Sequence, residues 1–185
     1  MNKVQTKDKY INLYKEYHSN KNNYQGVSYG KEHQKITELV RETKSQTLLD
    51  YGCGKATQYH LQGLHHDFPC GMPTLYDPAV PEYSTLPDGP FDGIYSTDVM
   101  EHIPEEVIPS VFEYIFGNAQ KFVYLAICTR LANAILPNGE NAHCTVKPMT
   151  WWVDMVEKHA PKKVLTHIRT YGDDNNYKVL TSMQN

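Results

Sequence analysis

The spacing of apolar residues along the chain alternates between the helical and the strand period. Three tyrosines and a leucine recur at helical spacing over residues 3–19, and a second apolar stripe follows over residues 31–44. Both segments are therefore predicted to form amphipathic helices. Residues 20–30 between them are rich in Asn and Gly, which is typical of a loop.

Short apolar runs bounded by glycine, proline or acidic residues predict four strands. These runs cover residues 46–52, 73–77, 91–97 and 121–128. The fourth run is apolar on both faces, as expected in the middle of a parallel sheet. Two further β-rich runs surround a Gly-Asp-Asp-Asn-Asn turn within residues 162–183, and they predict a closing hairpin.

Helical patterns separate the strands. Residues 55–66 can form one helix, Pro104 opens a second and Pro148 a third, since proline is well tolerated in a first helical turn. The second helix presents apolar residues at the helical period: Val107, Ile108, Val111, Phe112, Ile115 and Phe116. Strands that alternate with helices and end in a hairpin predict an α/β fold, a three-layer α/β/α sandwich around a mostly parallel sheet.

Length and composition narrow the class of protein. The chain of 185 residues is long enough for one full core and too short for two ordinary domains, so residues 1–185 are predicted to form a single domain. The net charge of −3 argues against extended nucleic-acid binding, which needs a basic face. The chain shows no bilayer-spanning apolar run, no signal-peptide core and no disulfide-like cysteine spacing. We therefore expect a cytoplasmic protein without membrane association.

The stretch LLDYGCGKA, residues 48–56, carries the strongest chemical signal. A strand that runs into Gly52-Cys53-Gly54 and then a helix lets a ligand approach the backbone closely, because glycine lacks a Cβ. A dinucleotide-binding fingerprint would place a third glycine three residues later, where this chain has Thr57. The turn indicates a nucleotide-like ligand without the nicotinamide fingerprint; a glycine turn that binds no ligand is the alternative.

Acidic residues follow the strands in a defined order. Asp50 precedes the glycines, Asp77 ends the next strand, and the strand at residues 91–97 runs into STDVMEHIPEE. Over roughly residues 48–128, this arrangement resembles class I S-adenosylmethionine-dependent methyltransferases, which have a Rossmann-like fold. The resemblance implies that Asp50 and the glycine turn hold the amino-acid part of S-adenosylmethionine, and that Asp77 accepts hydrogen bonds from both ribose hydroxyls. The implied cofactor set comprises Asp50, Gly52, Cys53, Gly54, Asp77, Thr97 and Asp98.

The interval after Asp77 is shorter than is common in that family. Only thirteen residues separate Asp77 from Phe91, too few for a strand-helix-strand passage of ordinary length. We therefore expect a sheet that lacks the usual third strand, in the family order 2-1-4-5-7-6 with strand 7 antiparallel to the rest. Pro78, Ala79 and Leu86 of the short loop would wall the adenine; alternatively, they only pack an edge.

The stretch after residue 97 carries candidate catalytic and metal-binding residues. Asp98, Glu101 and His102 are spaced so that one helical turn aligns them. In many class I methyltransferases a similar Glu-His pair only caps and packs the helix start. The pattern also resembles two metal-dependent subgroups, the small-RNA terminal 2′-O-methyltransferases and the polyprenyl-dihydroxybenzoate O-methyltransferases. In the RNA enzymes a histidine from a later loop completes the metal set, and His143 would take that place here.

The resemblance thus leaves two readings of the same residues. The candidate ligands of a divalent metal are Asp98, Glu101, His102 and His143. Without a metal, His143 would act as the general base, and His102 would orient the pocket or cap the helix.

Residues 138–152 lie where this fold usually builds its acceptor pocket. Lys147, Trp151 and Trp152 are candidates to hold an anionic or ring-shaped acceptor. Burial in helix packing is the commoner fate of a Trp pair, so at least one of the two is expected in the core.

The N-terminal part stands where related enzymes fold a segment over the cofactor. Residues 1–45 are expected to form a helical segment and lid, and residues 46–185 the Rossmann-like core. Tyr24, Ser28 and Tyr29 are lid candidates; alternatively, they are ordinary turn residues.

The expected function is methyl transfer from S-adenosylmethionine to a small-molecule acceptor, with O-methylation favoured. STDV stands where enzymes that methylate DNA amino groups carry an Asn/Asp-Pro-Pro-Tyr/Phe motif. Two alternatives remain: a nicotinamide-dependent Rossmann oxidoreductase, which the missing third glycine disfavours, and a non-catalytic subunit that binds the cofactor.

Overall fold

A computed structural model of the protein describes residues 2–19, 28–161 and 163–180. The helices are α1 (Lys3–Ser19), α2 (His33–Glu42), α3 (Thr57–His60), α4 (Ile108–Asn118) and α5 (Met149–His159). The strands are β1 (Leu48–Tyr51), β2 (Thr74–Tyr76), β3 (Phe91–Thr97), β4 (Ala119–Cys128), β5 (Leu165–Tyr171) and β6 (Asn176–Leu180). None of the described helices combines the length and the apolar character needed to cross a bilayer.

The six strands form one sheet in the order β2-β1-β3-β4-β5-β6. Neighbouring strands from β2 to β5 are parallel, whereas β6 runs antiparallel to β5. The chain is therefore an α/β protein with a mostly parallel sheet and an antiparallel closing hairpin, as expected from the sequence. This architecture is compatible with a Rossmann-like fold.

Alternating residues of β4 belong to two separate cores. Val123 and Leu125 pack in a cluster with α4 and α5, whereas Phe122 and Tyr124 pack in a cluster with α2. Successive side chains of a strand point to opposite faces of the sheet. The continuous apolar run in the sequence of β4 follows from this burial on both faces.

The expected order 2-1-4-5-7-6, numbered as in the family, is wrong for the last two strands. In the same numbering, the observed order is 2-1-4-5-6-7. The final strand, β6, lies at the edge of the sheet, and β5 pairs directly with β4. The difference has a physical reason in polarity. β5 buries residues such as Thr166 and Ile168, whereas β6 is exposed along most of its length and carries Asn176 and Lys178. A polar strand suits the edge of a sheet better than its interior.

The loop between β2 and β3 contains no strand. All of residues 77–90 are described, and their only regular element is a 3-10 turn at Pro81–Tyr83. β2 accordingly forms the other edge of the sheet.

Two predicted helices begin or end elsewhere. The helix expected over residues 55–66 is only α3, because Gly63 adopts a left-handed φ of 66° before a 3-10 turn at Leu64–Asp67. The helix expected to open at Pro104 begins at Ile108 instead, with a second proline in its first turn. The six apolar residues predicted to face the core from this segment are nevertheless all buried.

Candidate functional site

A cavity of about 760 Å³ lies at the carboxyl ends of β1 to β4 and beneath side chains of α1. The residues that follow these strands supply part of its lining: Gly52 after β1, Asp77 after β2, Asp98 after β3 and Arg130 after β4. β1 lies between β2 and β3, so the chain leaves it in one direction and returns on the other side. Ligands of open α/β sheets bind at such a switch point, outside the carboxyl ends of the strands.

The glycine turn is held against the end of β2. Gly52 and Cys53 donate their backbone N–H groups to the carbonyl oxygen of Tyr76, at 2.7 and 3.0 Å. Gly52 has a φ of +90°, and a Cβ at this position would lie 2.3 Å from Cγ2 of Val99. Only glycine fits there, because both the backbone conformation and the space exclude a side chain.

Asp77 ties the glycine turn to the loop after β2. Its carboxylate accepts the N–H of Gly54 at 2.9 Å through one oxygen and the N–H of Ala79 at 2.8 Å through the other. Burial raises the pKa of Asp77, and these backbone hydrogen bonds oppose the shift. Asp77, Pro78 and Ala79 all line the cavity.

Asp50 does not reach the cavity. It is 2% exposed, and its carboxylate accepts a hydrogen bond from the Tyr59 hydroxyl at 2.6 Å. Burial raises the pKa of Asp50 to about 7, against hydrogen bonds from Tyr59 and Gln58 that favour the charged form. The side chain joins a buried tyrosine network, since Tyr59 also bonds the hydroxyl of Tyr95.

Three more residues of the expected cofactor set lie apart from the cavity. Of the described residues, Cys53, Gly54 and Leu86 are outside its lining. Cys53 is buried beneath the turn, and Leu86 is 42% exposed on the loop surface. Leu86 therefore does not line the cavity in this structure, and its expected contact with adenine stays a prediction.

Asp98 enters the cavity through an unusual backbone conformation. It has a φ of +62°, which is uncommon for a residue with a Cβ, and its N–H donates to the carbonyl of Ala126 at 2.9 Å. The Tyr171 hydroxyl donates to its carboxylate. The expected helical turn is a 3-10 turn at Met100–His102, so Asp98 precedes this turn rather than lying within it.

His102 and His143 approach each other as an edge-to-face pair, with ring centroids 4.7 Å apart. Nδ1–H of His102 donates to the carbonyl of Ala142 at 2.9 Å, and Nδ1–H of His143 donates to the carbonyl of Arg130 at 2.6 Å. A carbonyl can only accept, so in each neutral ring Nε2 is the nitrogen with a free lone pair. Burial, assisted by His143, lowers the pKa of His102 to about 4, which keeps it neutral at pH 7.

Asp98, His102 and His143 each offer a ligand atom, and these atoms lie within 4.8 Å of one another. Glu101, Cys128 and His143 form a second such group. Three of the four residues that the sequence singled out for a metal thus form the first group, whereas Glu101 belongs to the second group, which shares only His143 with the first.

Glu101 is the most buried of the four, with no exposed surface. One carboxylate oxygen accepts the N–H of Cys128 at 2.7 Å, and the other has no hydrogen-bond partner among the described residues. Burial, together with the negative charge of Asp98, raises its pKa well above the usual range. A nearby cation would compensate both causes, so this donor set fits a divalent metal.

Helix α1 lies within the N-terminal segment expected to act as a lid, and it supplies a wall of the cavity through tyrosines that were not among the lid candidates. Tyr14 donates its hydroxyl to the carbonyl of Ala142, next to His143, and lies 3.0 Å from Nδ1 of His102. Tyr10 and Lys9 both bond the carboxylate of Glu140, at 2.6 and 2.7 Å. The helical spacing of the tyrosines was visible in the sequence, but nothing local shows which surface that face covers.

The expected acceptor residues near α5 lie elsewhere. Of the described residues, Lys147, Trp151 and Trp152 are outside the cavity lining. Trp152 is fully buried in the core, as expected for one of the pair. Lys147 pairs with Glu105 at 2.7 Å and lies over the ring of Trp151.

The expected lid residues are only partly described. Tyr24 lies outside the described residues, and of Ser28 only the backbone is described, at the start of a 3-10 turn that ends at Lys31. Tyr29 is buried against Tyr59 and bonds His33 at 2.9 Å, so it is a core residue and not a lid.

No protein-family model, no curated protein and no solved structure matches the chain.

Proposed function

We propose that this protein is an S-adenosylmethionine-dependent methyltransferase that methylates a small-molecule acceptor in the cytoplasm, with a hydroxyl oxygen as the favoured nucleophile. The observation that carries the proposal is the continuity of one cavity. It runs from the glycine turn and Asp77 to Asp98, His102 and His143. Its volume is that of an ordinary small-ligand site.

The proposed fold is a Rossmann-like α/β/α sandwich of three layers that lacks the usual third strand. Two core clusters that involve α2 and the pair α4–α5 support the layers. The edge position of β2 supports the missing strand. Pro78 and Ala79 would then wall the adenine, and Asp77 would accept the ribose hydroxyls through lone pairs that its two backbone contacts leave free.

Methyl transfer is an in-line displacement. The acceptor oxygen attacks the methyl carbon, the carbon–sulfur bond breaks with its electron pair remaining on sulfur, and the hydroxyl proton must leave. Nε2 of His143 can accept that proton, because Nδ1–H is already donated to the carbonyl of Arg130. His102 shares this edge of the cavity and is held neutral by burial.

The cluster of Asp98, Glu101, His102 and His143 would hold a divalent metal. Mixed carboxylate and imidazole ligands suit manganese, iron, cobalt or zinc better than calcium. When bound, such a metal would lower the pKa of the acceptor hydroxyl. The chain itself contributes the orientation of the two rings, since the carbonyls of Ala142 and Arg130 each bind Nδ1–H and leave Nε2 with the free lone pair.

Calorimetry with adenosylhomocysteine tests the cofactor. The wild-type protein should bind it, and Asp77→Ala should weaken binding at least about tenfold, because hydrogen bonds to a charged group are worth about 1.5–3 kcal/mol each. Asp88→Ala, on the exposed part of the same loop, is the control and should bind normally. Asp77→Asn, with its fold checked by circular dichroism, separates lost hydrogen bonds from lost structure. Tight NADH binding without any response to adenosylhomocysteine would support the oxidoreductase instead.

Manganese binding to metal-stripped protein tests the metal site. Electron paramagnetic resonance should show one bound ion in the wild type, and His143→Ala and His102→Ala should each weaken binding at least about tenfold. His66→Ala, which removes an exposed histidine of the 3-10 turn at Leu64–Asp67, outside the cavity lining, should have no effect. If turnover survives chelation and only His143→Ala abolishes it, His143 acts as a general base without a metal.

A further inference from the structure

We infer that the cavity binds an anionic group of its ligand, a phosphate or a carboxylate, through Arg130. Because Arg130 adjoins His143, the inference rests on the proposed function for one point only, that this anion belongs to the methyl acceptor. Anion binding itself can be measured whatever the reaction is.

Arg130 contributes to the site through both its backbone and its side chain. Its main-chain carbonyl accepts the hydrogen bond from His143, and its side chain lines the cavity. It lies two residues after Cys128, the last residue of β4, so the central sheet fixes where its backbone lies. An anion held by Arg130 would therefore sit at a defined distance from the histidine pair.

The stem of the Arg130 side chain rests on Gly172 in the turn of the closing hairpin. A Cβ on Gly172 would lie 3.0 Å from Cγ and 3.3 Å from Cδ of Arg130, and Gly172 has a φ of +104°. The turn thus leaves room for the aliphatic part of the arginine. This packing limits the freedom of the side chain before a ligand binds, which lowers the entropy lost on binding.

The guanidinium of Arg130 carries no compensating charge. Among the described residues it forms no ion pair, Asp173 of the same turn included, and a side-chain hydrogen bond links it to the uncharged thiol of Cys128. Arg169, the other arginine of the lining, differs in this respect: it pairs with the buried Glu32. The guanidinium of Arg169 is therefore neutralised by an ion pair, whereas that of Arg130 is exposed to solvent.

An open guanidinium suits an oxyanion. Its planar set of N–H donors matches the two oxygens of a carboxylate or phosphate, and such bidentate contacts are stronger than neutral hydrogen bonds. Lys7 and Lys31 also line the cavity and add positive charge on the side of α1 and α2.

The test uses three small probes and metal-stripped protein in metal-free buffer, so that no probe can bind through a metal. Inorganic phosphate, acetate and neutral acetamide are titrated into ¹⁵N-labelled protein, with and without adenosylhomocysteine. The side-chain Nε–H signal of Arg130 is assigned by its loss in Arg130→Gln. Arg41→Gln is the matched control, because Arg41 lies on α2 outside the cavity lining and is the remaining arginine of the chain.

Phosphate or acetate should shift the Arg130 signal, and acetamide should not. Arg130→Gln should weaken binding of the effective anion at least about tenfold, as expected for a charge-assisted contact, while Arg41→Gln should bind as the wild type does. The tighter of the two anions identifies the acceptor group as a phosphate or a carboxylate. Failure of both anions to shift the signal, or equal loss of binding in the two variants, would overturn the inference. Adenosylhomocysteine binding is scored separately, so loss of the proposed function would be seen independently of Arg130.

Discussion

Asp50 occupies the sequence position at which an acid that binds the cofactor was expected. Its carboxylate instead accepts a buried hydrogen bond from Tyr59 and does not line the cavity. A buried carboxyl whose pKa is about 7 in the folded protein and about 3.9 in the unfolded chain affects stability. The folded state holds its proton longer than the unfolded state does. Stability is therefore fully present below about pH 4 and is lost as the pH rises through about 7.

We expect Asp50→Asn to remove this pH dependence. Between pH 5 and pH 8 the wild type should lose about 2–3 kcal/mol of its free energy of unfolding through Asp50. The variant should not show this loss, because asparagine has no proton to release. Urea unfolding at the two pH values measures the difference. Asp154→Asn, on the exposed face of α5, is the control and should follow the wild-type profile. If the free energy of unfolding of Asp50→Asn instead changes with pH in parallel with that of the wild type, Asp50 is already ionised in the folded protein at pH 5.

At the scale of elements, α1 is held to the cavity by polar contacts and not by a core. It has no buried residue, and its contacts include Lys9 and Tyr10 with Glu140 and Tyr14 with Ala142. Elements with few buried apolar contacts open more easily than the sheet they cover. The hydrogen bonds of Tyr14 link the position of this helix to the histidine pair.

Removing the Glu140 side chain should loosen α1 alone. Glu140→Ala loses two hydrogen bonds worth about 0.5–1.5 kcal/mol each, which lowers the opening free energy of α1 by about 1–3 kcal/mol. Hydrogen exchange should become faster over residues 3–19 and stay unchanged in β3 and β4. Glu38→Ala, which removes an exposed pair with Lys35 on α2, should leave α1 as it is. Unchanged exchange in Glu140→Ala would mean that other contacts hold the helix.

At the scale of the whole molecule, one ion pair joins distant parts of the chain. Glu32, before α2, is nearly buried; it pairs with Arg169 of β5 and accepts the Tyr124 hydroxyl of β4 at 2.6 Å. Breaking a buried pair by removing one partner leaves an uncompensated charge. The cost is moderated here because Arg169 is 36% exposed.

Arg169→Ala should lower the free energy of unfolding by about 2 kcal/mol, less than for a fully buried pair. Chemical denaturation measures the loss. Lys35→Ala breaks an exposed pair and should cost below about 0.5 kcal/mol. The double variant Glu32→Gln/Arg169→Ala should recover part of the loss, since it also removes the buried charge. No recovery would assign the loss to the packing of the arginine stem.

Local sequence was sufficient for most of the elements. The core helices, the four parallel strands before the hairpin and the hairpin itself follow from apolar spacing, because burial on one or two faces leaves a period that can be read directly. The same reading missed the early end of α3 at Gly63, since a single left-handed residue interrupts a helix without changing the apolar pattern.

Residues close together in the chain, or at the ends of neighbouring strands, could also be placed from sequence. Glu101 and His102 share one 3-10 turn that begins two residues after Asp98, and Asp77 follows a strand next to the glycine turn. Parallel strands bring their carboxyl ends to one edge, so these side chains had to meet there. His143 was added by resemblance, and the structure brings it to the same cluster.

Tertiary structure alone decided the rest. The position of β6 at the edge, the burial of Asp50, the contact of α1 with Ala142 and the open guanidinium of Arg130 each depend on residues far apart in the chain. The sequence by itself determined which segments are helices and strands and which residues could perform chemistry, because both properties are local. Which of those residues share the cavity was decided by packing, since a periodic pattern shows that a face is covered but not what covers it.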